Sequence, residues 1–228
     1  NNIDLSSGVW YPIGNEHYPF SGLYDGGFFK INGLSTDWID WSSTTNQGLF
    51  GYAEGIVLKN ICITNACIRG QRRVGALVGQ VAGSGNSITN CYVDNSSTVK
   101  NSADDAGGLV GKALNLTITS SATLANVSGS GCYGSIIGHP DANVTITNSL
   151  GVSTSTNIGY CCSAPRSGLT SQTTSILYKN SSGQYRVGSD FSNWVYVSGM
   201  SYPLPKGLSW LAEGASGNTS SSVSYTHL

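Results

Sequence analysis

Gly108-Leu109-Val110-Gly111, followed by Leu116-Thr117-Ile118-Thr119-Ser120, is the stretch that decides the fold, because the chain carries four versions of it. The first box recurs as Gly48-Leu49-Phe50-Gly51, Gly75-Ala76-Leu77-Val78-Gly79 and Ser135-Ile136-Ile137-Gly138. Its closing glycines, Gly51, Gly79, Gly111 and Gly138, lie 28, 32 and 27 residues apart. The second box recurs as Leu58-Lys59-Asn60, Ile88-Thr89-Asn90, Ile118-Thr119-Ser120 and Ile146-Thr147-Asn148, starting 7, 9, 7 and 8 residues after those glycines. Two landmarks at near-constant offset, with a period close to 30, mark a stacked solenoid rather than a single-core globule.

Around the second box the apolar residues alternate: Ile56 with Leu58, Leu116 with Ile118, Val144 with Ile146. Alternation is the signature of a half-buried strand. After Asn60 the parity shifts to Ile61 and Ile63, and after Asn90 it shifts to Cys91 and Val93. A parity shift at an asparagine predicts a corner, because Asn tolerates left-handed backbone angles and its amide can bond along a stack of equivalent residues. Asn60, Asn90 and Asn148 are therefore expected at one corner. The box glycines are expected at a second, where positive φ or close backbone approach is needed. The fold expected is all-β, a parallel β-helix of about four coils. Leu58, Ile88, Ile118 and Ile146 would form one interior ladder, with strands about 4.8 Å apart.

These boxes resemble GLUG-motif repeats. So does the leader: Asn2-Ile3-Asp4-Leu5-Ser6, Trp10-Tyr11-Pro12-Ile13-Gly14, Pro19-Phe20-Ser21-Gly22, Asp25-Gly26-Gly27 and Ile31-Asn32-Gly33-Leu34. The resemblance covers about residues 2–152 and, more faintly, Trp194 to Trp210. It departs from the pattern in Ser-Ile-Ile-Gly at the last box and in Asp-Gly-Gly where Asp-Gly-Asn is usual. The resemblance implies a large bacterial surface or secreted protein, often adhesin-like, and hence an extracellular or cell-surface location. It brings no catalytic residues to carry over.

Four segments follow. Residues 1–47 read as a leader, first coil and N-terminal cap, and 48–156 as the repeats. Residues 157–211, with Cys161-Cys162 and Pro165, read as terminal coils and a C-terminal cap; 212–228 read as a disordered tail. The last six residues, 223–228, resemble a translated sequencing adapter and are set aside. Asn1 opens inside the leader without an initiator Met, so the front reads as truncated or processed.

Charged residues make up 10% of the chain, against about 25% in typical soluble domains. The net charge of −1 gives no long-range attraction for nucleic acid or an anionic membrane. No apolar run is long enough for a membrane span. Arg69, Arg72 and Arg73 read as a solvated turn between coils. The six cysteines, Cys62, Cys67, Cys91, Cys132, Cys161 and Cys162, make no Cys-x-x-Cys. Buried free thiols and disulfides are both open readings, with Cys91 aligned on the interior position of Ile61. Asn-x-Ser/Thr sequons, such as those at Asn115 and Asn143, arise by chance in so Asn/Ser/Thr-rich a chain.

For catalysis the best carboxylates are Asp104 and Asp105. Glycoside hydrolysis needs two carboxyls about 5–10 Å apart across the bond, and neighbours on one strand point to opposite faces. A partner from another coil is required, either Asp141 or Asp94, while Lys112 with Asp104 only loosely imitates a lyase base. His17 and His139 read as loop and turn residues, and no Gly-x-Ser-x-Gly box appears. Asp37 and Asp40 read as turn caps rather than metal ligands. No catalytic residue, metal or cofactor is expected. For binding, Trp10, Tyr11, Trp38 and Trp41, with Tyr18, crowd the leader. They read either as rings that stack on sugar faces or as a cap on the first coil. The function expected is a non-catalytic fragment of a bacterial adhesin-like protein. It would bind glycan or a host surface or matrix protein, or act as a presenting stalk within a longer parent. The alternative is a fragment of a β-helical polysaccharide lyase or hydrolase.

Overall fold

The computed structural model of the protein describes residues 1–37, 43–152, 169–173, 178–179, 185–186, 194–197, 200 and 202–213. Over them the chain forms a parallel β-helix of about five turns. One sheet stacks Ile3–Asp4, Lys30–Asn32, Cys62–Thr64, Tyr92–Val93, Ala122–Thr123 and Leu150–Gly151. A second stacks Thr45–Gln47, Cys67–Gly75, Thr98–Gly107 and Asn126–Ser128. The third is bent, with two runs of strands joined through the long strand Phe50–Lys59. One run continues into Val78–Ala82, Val110–Ala113 and Ile137–Pro140, the other into Asn86–Thr89, Leu116–Thr119 and Val144–Thr147.

Register follows the repeat. Leu58 pairs with Ile88, Ile88 with Ile118 and Ile118 with Ile146, and all four are fully buried. Phe50, Val78, Val110 and Ile137 form a parallel ladder one face away, equally buried. Burying the four residues of one ladder contributes roughly 6–12 kcal/mol before chain entropy is subtracted. Asn86 replaces an apolar residue opposite Leu116 and is satisfied inside the core. It accepts from the Ile56 N–H at 3.1 Å and donates to the Ala82 carbonyl at 2.9 Å.

The asparagine corner is as the sequence predicts. Asn60, Asn90, Ser120 and Asn148 have φ of 55°, 54°, 49° and 45°. Asn90 donates to Asn60 at 3.4 Å and Asn148 to Ser120 at 3.0 Å, and Asn60 ends the row on Asp25 at 2.9 Å. Burial opposes ionisation of Asp25. The Gly27 N–H, the Asn60 amide and Lys59 outweigh it, and the carboxyl is held below the usual carboxylate range.

The box glycines differ from one of the expectations. None of Gly51, Gly79, Gly111 and Gly138 has positive φ. Left-handed angles fall four residues further on, at Gly55 (62°), Asn115 (49°) and their register mates Gly85 (75°) and Asn143 (52°). Close approach is what the box requires. A Cβ at Gly111 would lie 2.5 Å from the Arg73 carbonyl carbon and 2.6 Å from the Gly79 oxygen; at Gly138 it would lie 2.6 Å from the Ala106 nitrogen. At Gly51 it would meet the Gly14 oxygen at 2.6 Å, and at Gly79 the Asn46 Cα at the same distance. Each box thus presses against the backbone of a neighbouring corner, and a side chain has no room.

The C-terminal segment also sits differently from the expected end cap. Trp194–Tyr196 pairs antiparallel with Pro203–Pro205, and a 3-10 helix, Lys206–Glu213, follows. Trp194, Val197, Leu204 and Leu208 pack on Cys62, Tyr92, Ala122 and Leu150, one residue from each of four successive coils. The segment therefore runs along the flank of the first sheet. Trp210 reaches the ring of Phe28 in the leader, with centroids 5.3 Å apart.

Cys91 and Cys62 are fully buried, Cys91 inside the coil and Cys62 under the flanking segment. Burial pushes both thiols up to about 12. Cys67 is a partly exposed free thiol, and Cys132 is disulfide-bonded. Cys161, Cys162 and Pro165 lie outside the described residues.

Two predictions test this architecture. Ile118→Asp should abolish cooperative thermal unfolding, and Gly111→Val should cost about 3 kcal/mol through overpacking rather than through φ. An unchanged melting curve for either would refute the register. Separately, iodoacetamide at pH 8 should modify Cys67 in the native protein but Cys62 and Cys91 only in denaturant, as read by peptide mass spectrometry.

Candidate functional site

Where the second sheet bends into the box, a residue with left-handed angles recurs: Asn46, Arg73 and Asp105, with φ of 55°, 58° and 61°. Beside that corner runs an outward row from the third sheet, Tyr52, Gln80, Lys112 and His139, in register across four coils. The two rows give the solenoid one polar edge, and both candidate sites lie on it.

At one end four ionisable groups converge. His139 Nδ1 lies 2.9 Å from Asp105 Oδ1, and its Nε2 lies 3.2 Å from Asp141 Oδ1. Lys112 Nζ lies 3.2 Å from the other oxygen of Asp141. The His139 and Asp105 side chains are only 10% and 8% exposed. His139 was expected in a turn, but it occupies the strand Ile137–Pro140, opposite Lys112. Asp104 and Asp105 diverge, as expected, though at a left-handed corner with φ of 61° at Asp105 rather than along a regular strand. Asp104 faces outward to Arg72 at 3.2 Å while Asp105 turns in to His139. Of the two suggested partners, Asp141 joins the cluster, and Asp94 bonds Ser96 and Ser97 elsewhere. Lys112 pairs with Asp141, not with Asp104.

Asp105, Cys132 and His139 bring potential ligand atoms within 4.8 Å of one another. Because the Cys132 sulfur is held in a disulfide, it offers no thiolate, and the set does not fit a metal ion. Within the cluster each imidazole nitrogen faces a carboxylate, and Asp141 is shared between His139 and Lys112.

At the other end of the edge is a shallow pocket of about 510 Å³, lined in part by Asn15, Glu16, His17, Tyr18, Asn46 and Gln47. Asn15 Oδ1 accepts the N–H groups of His17 and Tyr18 and so shapes the loop. Glu16 accepts from Arg73 at 2.8 Å and from Asn46 at 3.3 Å. Asn46 and Gln47 are 8% and 7% exposed, and their side-chain oxygens have no hydrogen-bond partner. No motif or spacing in the chain singles out Glu16, Asn46 or Gln47. They come together only through a turn of the leader against the edge strand Thr45–Gln47.

The aromatic candidates separate. Trp10 donates its indole N–H to the Leu49 carbonyl at 3.0 Å and packs on the core, so its ring caps the first coil. Tyr11 is 71% exposed. Trp38 and Trp41, with Asp40, lie outside the described residues. Asp37 pairs with Arg69 at 3.3 Å. Arg69, Arg72 and Arg73 sit in the strand Cys67–Gly75, not in a turn, and each meets an acid. No family model, no curated protein and no solved structure matches the chain. No helix among the described residues is long and apolar enough to cross a membrane.

Breaking the buried Asp105–His139 pair should be costly. Asp105→Ala is expected to lower stability by about 3 kcal/mol. The double change Asp105→Ala with His139→Ala should cost clearly less than the sum of the two single changes in a urea-unfolding cycle. Strict additivity would show that the two side chains do not act together.

Proposed function

We propose that this chain is a non-catalytic piece of a bacterial surface or secreted adhesin-like protein. Its coils would carry a neutral, hydrogen-bonding surface that binds glycan or a host surface or matrix protein, or that presents a binding module held by a longer parent. The observation that carries the reading is the mutual pairing of Asp105, His139, Asp141 and Lys112. The ionisable groups best placed for chemistry are mutually paired, and the pairs join successive coils. The scarcity of charge and the Ser-, Thr- and Asn-rich composition also support it, because such a surface recognises through hydrogen bonds rather than through a field. The GLUG-like boxes favour an exported repeat protein of this kind.

The second reading, a β-helical polysaccharide lyase or hydrolase, draws on the same convergence of acid, imidazole and amine at one corner. It requires substrate to open the cluster and release one group as a base.

One incubation separates them. The protein is mixed with a panel of polysaccharides, mucins and matrix proteins, and both retention and new chain ends are read. Retention without cleavage is expected. New chain ends that disappear in Asp105→Asn and His139→Gln would replace the binding reading with the enzymatic one. Neither signal would leave a spacer.

A further inference from the structure

We infer that the pocket at Glu16, Tyr18, Asn46 and Gln47 takes one unit of a neutral glycan. The inference rests on the binding reading above and names its ligand class and its place. Its volume of about 510 Å³ is within the usual range for small-molecule sites. Three features select the ligand.

The first is hydrogen bonding. Asn46 Oδ1 and Gln47 Oε1 are closed off from solvent and lack a donor, while the NH₂ groups of the same side chains are spent on Glu16 and on the Thr45 carbonyl. Buried acceptors without donors are costly, and native proteins seldom keep them. Both residues line the pocket, and a ligand hydroxyl that reached either oxygen would supply the missing donor. Sugars carry such donors in dense, fixed arrays.

The second is charge. Glu16 pairs with Arg73 at 2.8 Å, so its carboxylate already has its cation. None of the described lining residues is Lys or Arg, so an acidic sugar would find no cation of its own there. A neutral ligand fits both facts.

The third is an apolar platform. Tyr18 lines the pocket and is 79% exposed. A free tyrosine ring beside hydrogen-bonding groups matches the two aspects of a pyranose, whose C–H face stacks while its hydroxyls bond. This places the aromatic contact at Tyr18, not at Trp10, whose ring is committed to the core.

The test is ligand-observed saturation-transfer NMR on the whole chain, with methyl β-galactoside, methyl β-glucoside and methyl α-mannoside as probes and the retention panel run in parallel. Wild type should show transfer to at least one probe. Tyr18→Ala and Gln47→Ala should each weaken it about fivefold or more, with the Tyr18→Ala melting temperature unchanged. Because Tyr18 is exposed, its variant stays informative even if Gln47→Ala fails to fold. Transfer undiminished in Tyr18→Ala would overturn the pocket assignment while glycan binding stood. Retention on acidic glycans or matrix proteins without transfer to the neutral probes would overturn the ligand class and keep the binding reading. No transfer and no retention would overturn both.

Discussion

A β-helix holds together only if the chain turns in the same way at the same place in every coil. Here that constraint falls on residues with left-handed backbone angles, stacked in register. Such angles cost most L-residues on the order of 1 kcal/mol or more, so each corner needs a residue that tolerates them and a neighbour that fixes them. Glycine supplies tolerance alone, as at Gly55 and Gly85. Asparagine supplies both, because its amide reaches the same residue one coil away. Asn143 donates to Asn115 at 2.7 Å, and Asn90 to Asn60 at 3.4 Å. Each stacked amide locks the register of the strands that leave the corner. The apolar ladders then meet like on like, and the ladders supply the burial that the corners organise.

The same logic explains what could be read from the chain. A repeated pattern shows in sequence whenever a structural need repeats, so the ladder of Leu58, Ile88, Ile118 and Ile146 was legible, and so was the corner at Asn60, Asn90 and Asn148. The glycine boxes were legible as landmarks, but two physical causes for glycine, positive φ and absence of Cβ space, leave the same mark in sequence. Only the neighbour in space, such as the Ala106 nitrogen beside Gly138, tells them apart. The convergence of Lys112 and His139 was half-visible: each follows a box glycine by one residue, which puts them in one row. Asp105 belongs to a different face, and nothing local announces that its corner brings it to His139.

The pocket was not legible at all, for a related reason. It forms where repetition stops. Glu16 and Tyr18 come from a leader turn with no counterpart in later coils, and they meet Asn46 and Gln47 on the edge strand of the second sheet. The flanking C-terminal segment is similar. Its contacts with Cys62, Tyr92, Ala122 and Leu150 depend on a row of outward apolar residues, and such a row looks the same in sequence as an inward one. Parity says which residues share a face, not which face is covered.

The polar edge shows how a repeated scaffold can carry different duties along its length. Asn46, Arg73 and Asp105 occupy one structural position in three coils, with nearly the same backbone angles. What differs is the partner each side chain finds. Asp105 meets an imidazole that a second carboxylate also holds, and there the coils are tied together. Arg73 meets Glu16 and cancels its charge. Asn46 also reaches Glu16 through its amide nitrogen, but its oxygen is left unmatched. Since the backbone is common to all three, the unmatched acceptor is a property of the side chains gathered at that end. The edge keeps unmatched acceptors at Asn46 and Gln47, where they line the pocket, and at Gln80 one coil further along, and it is at the pocket that a ligand could meet them.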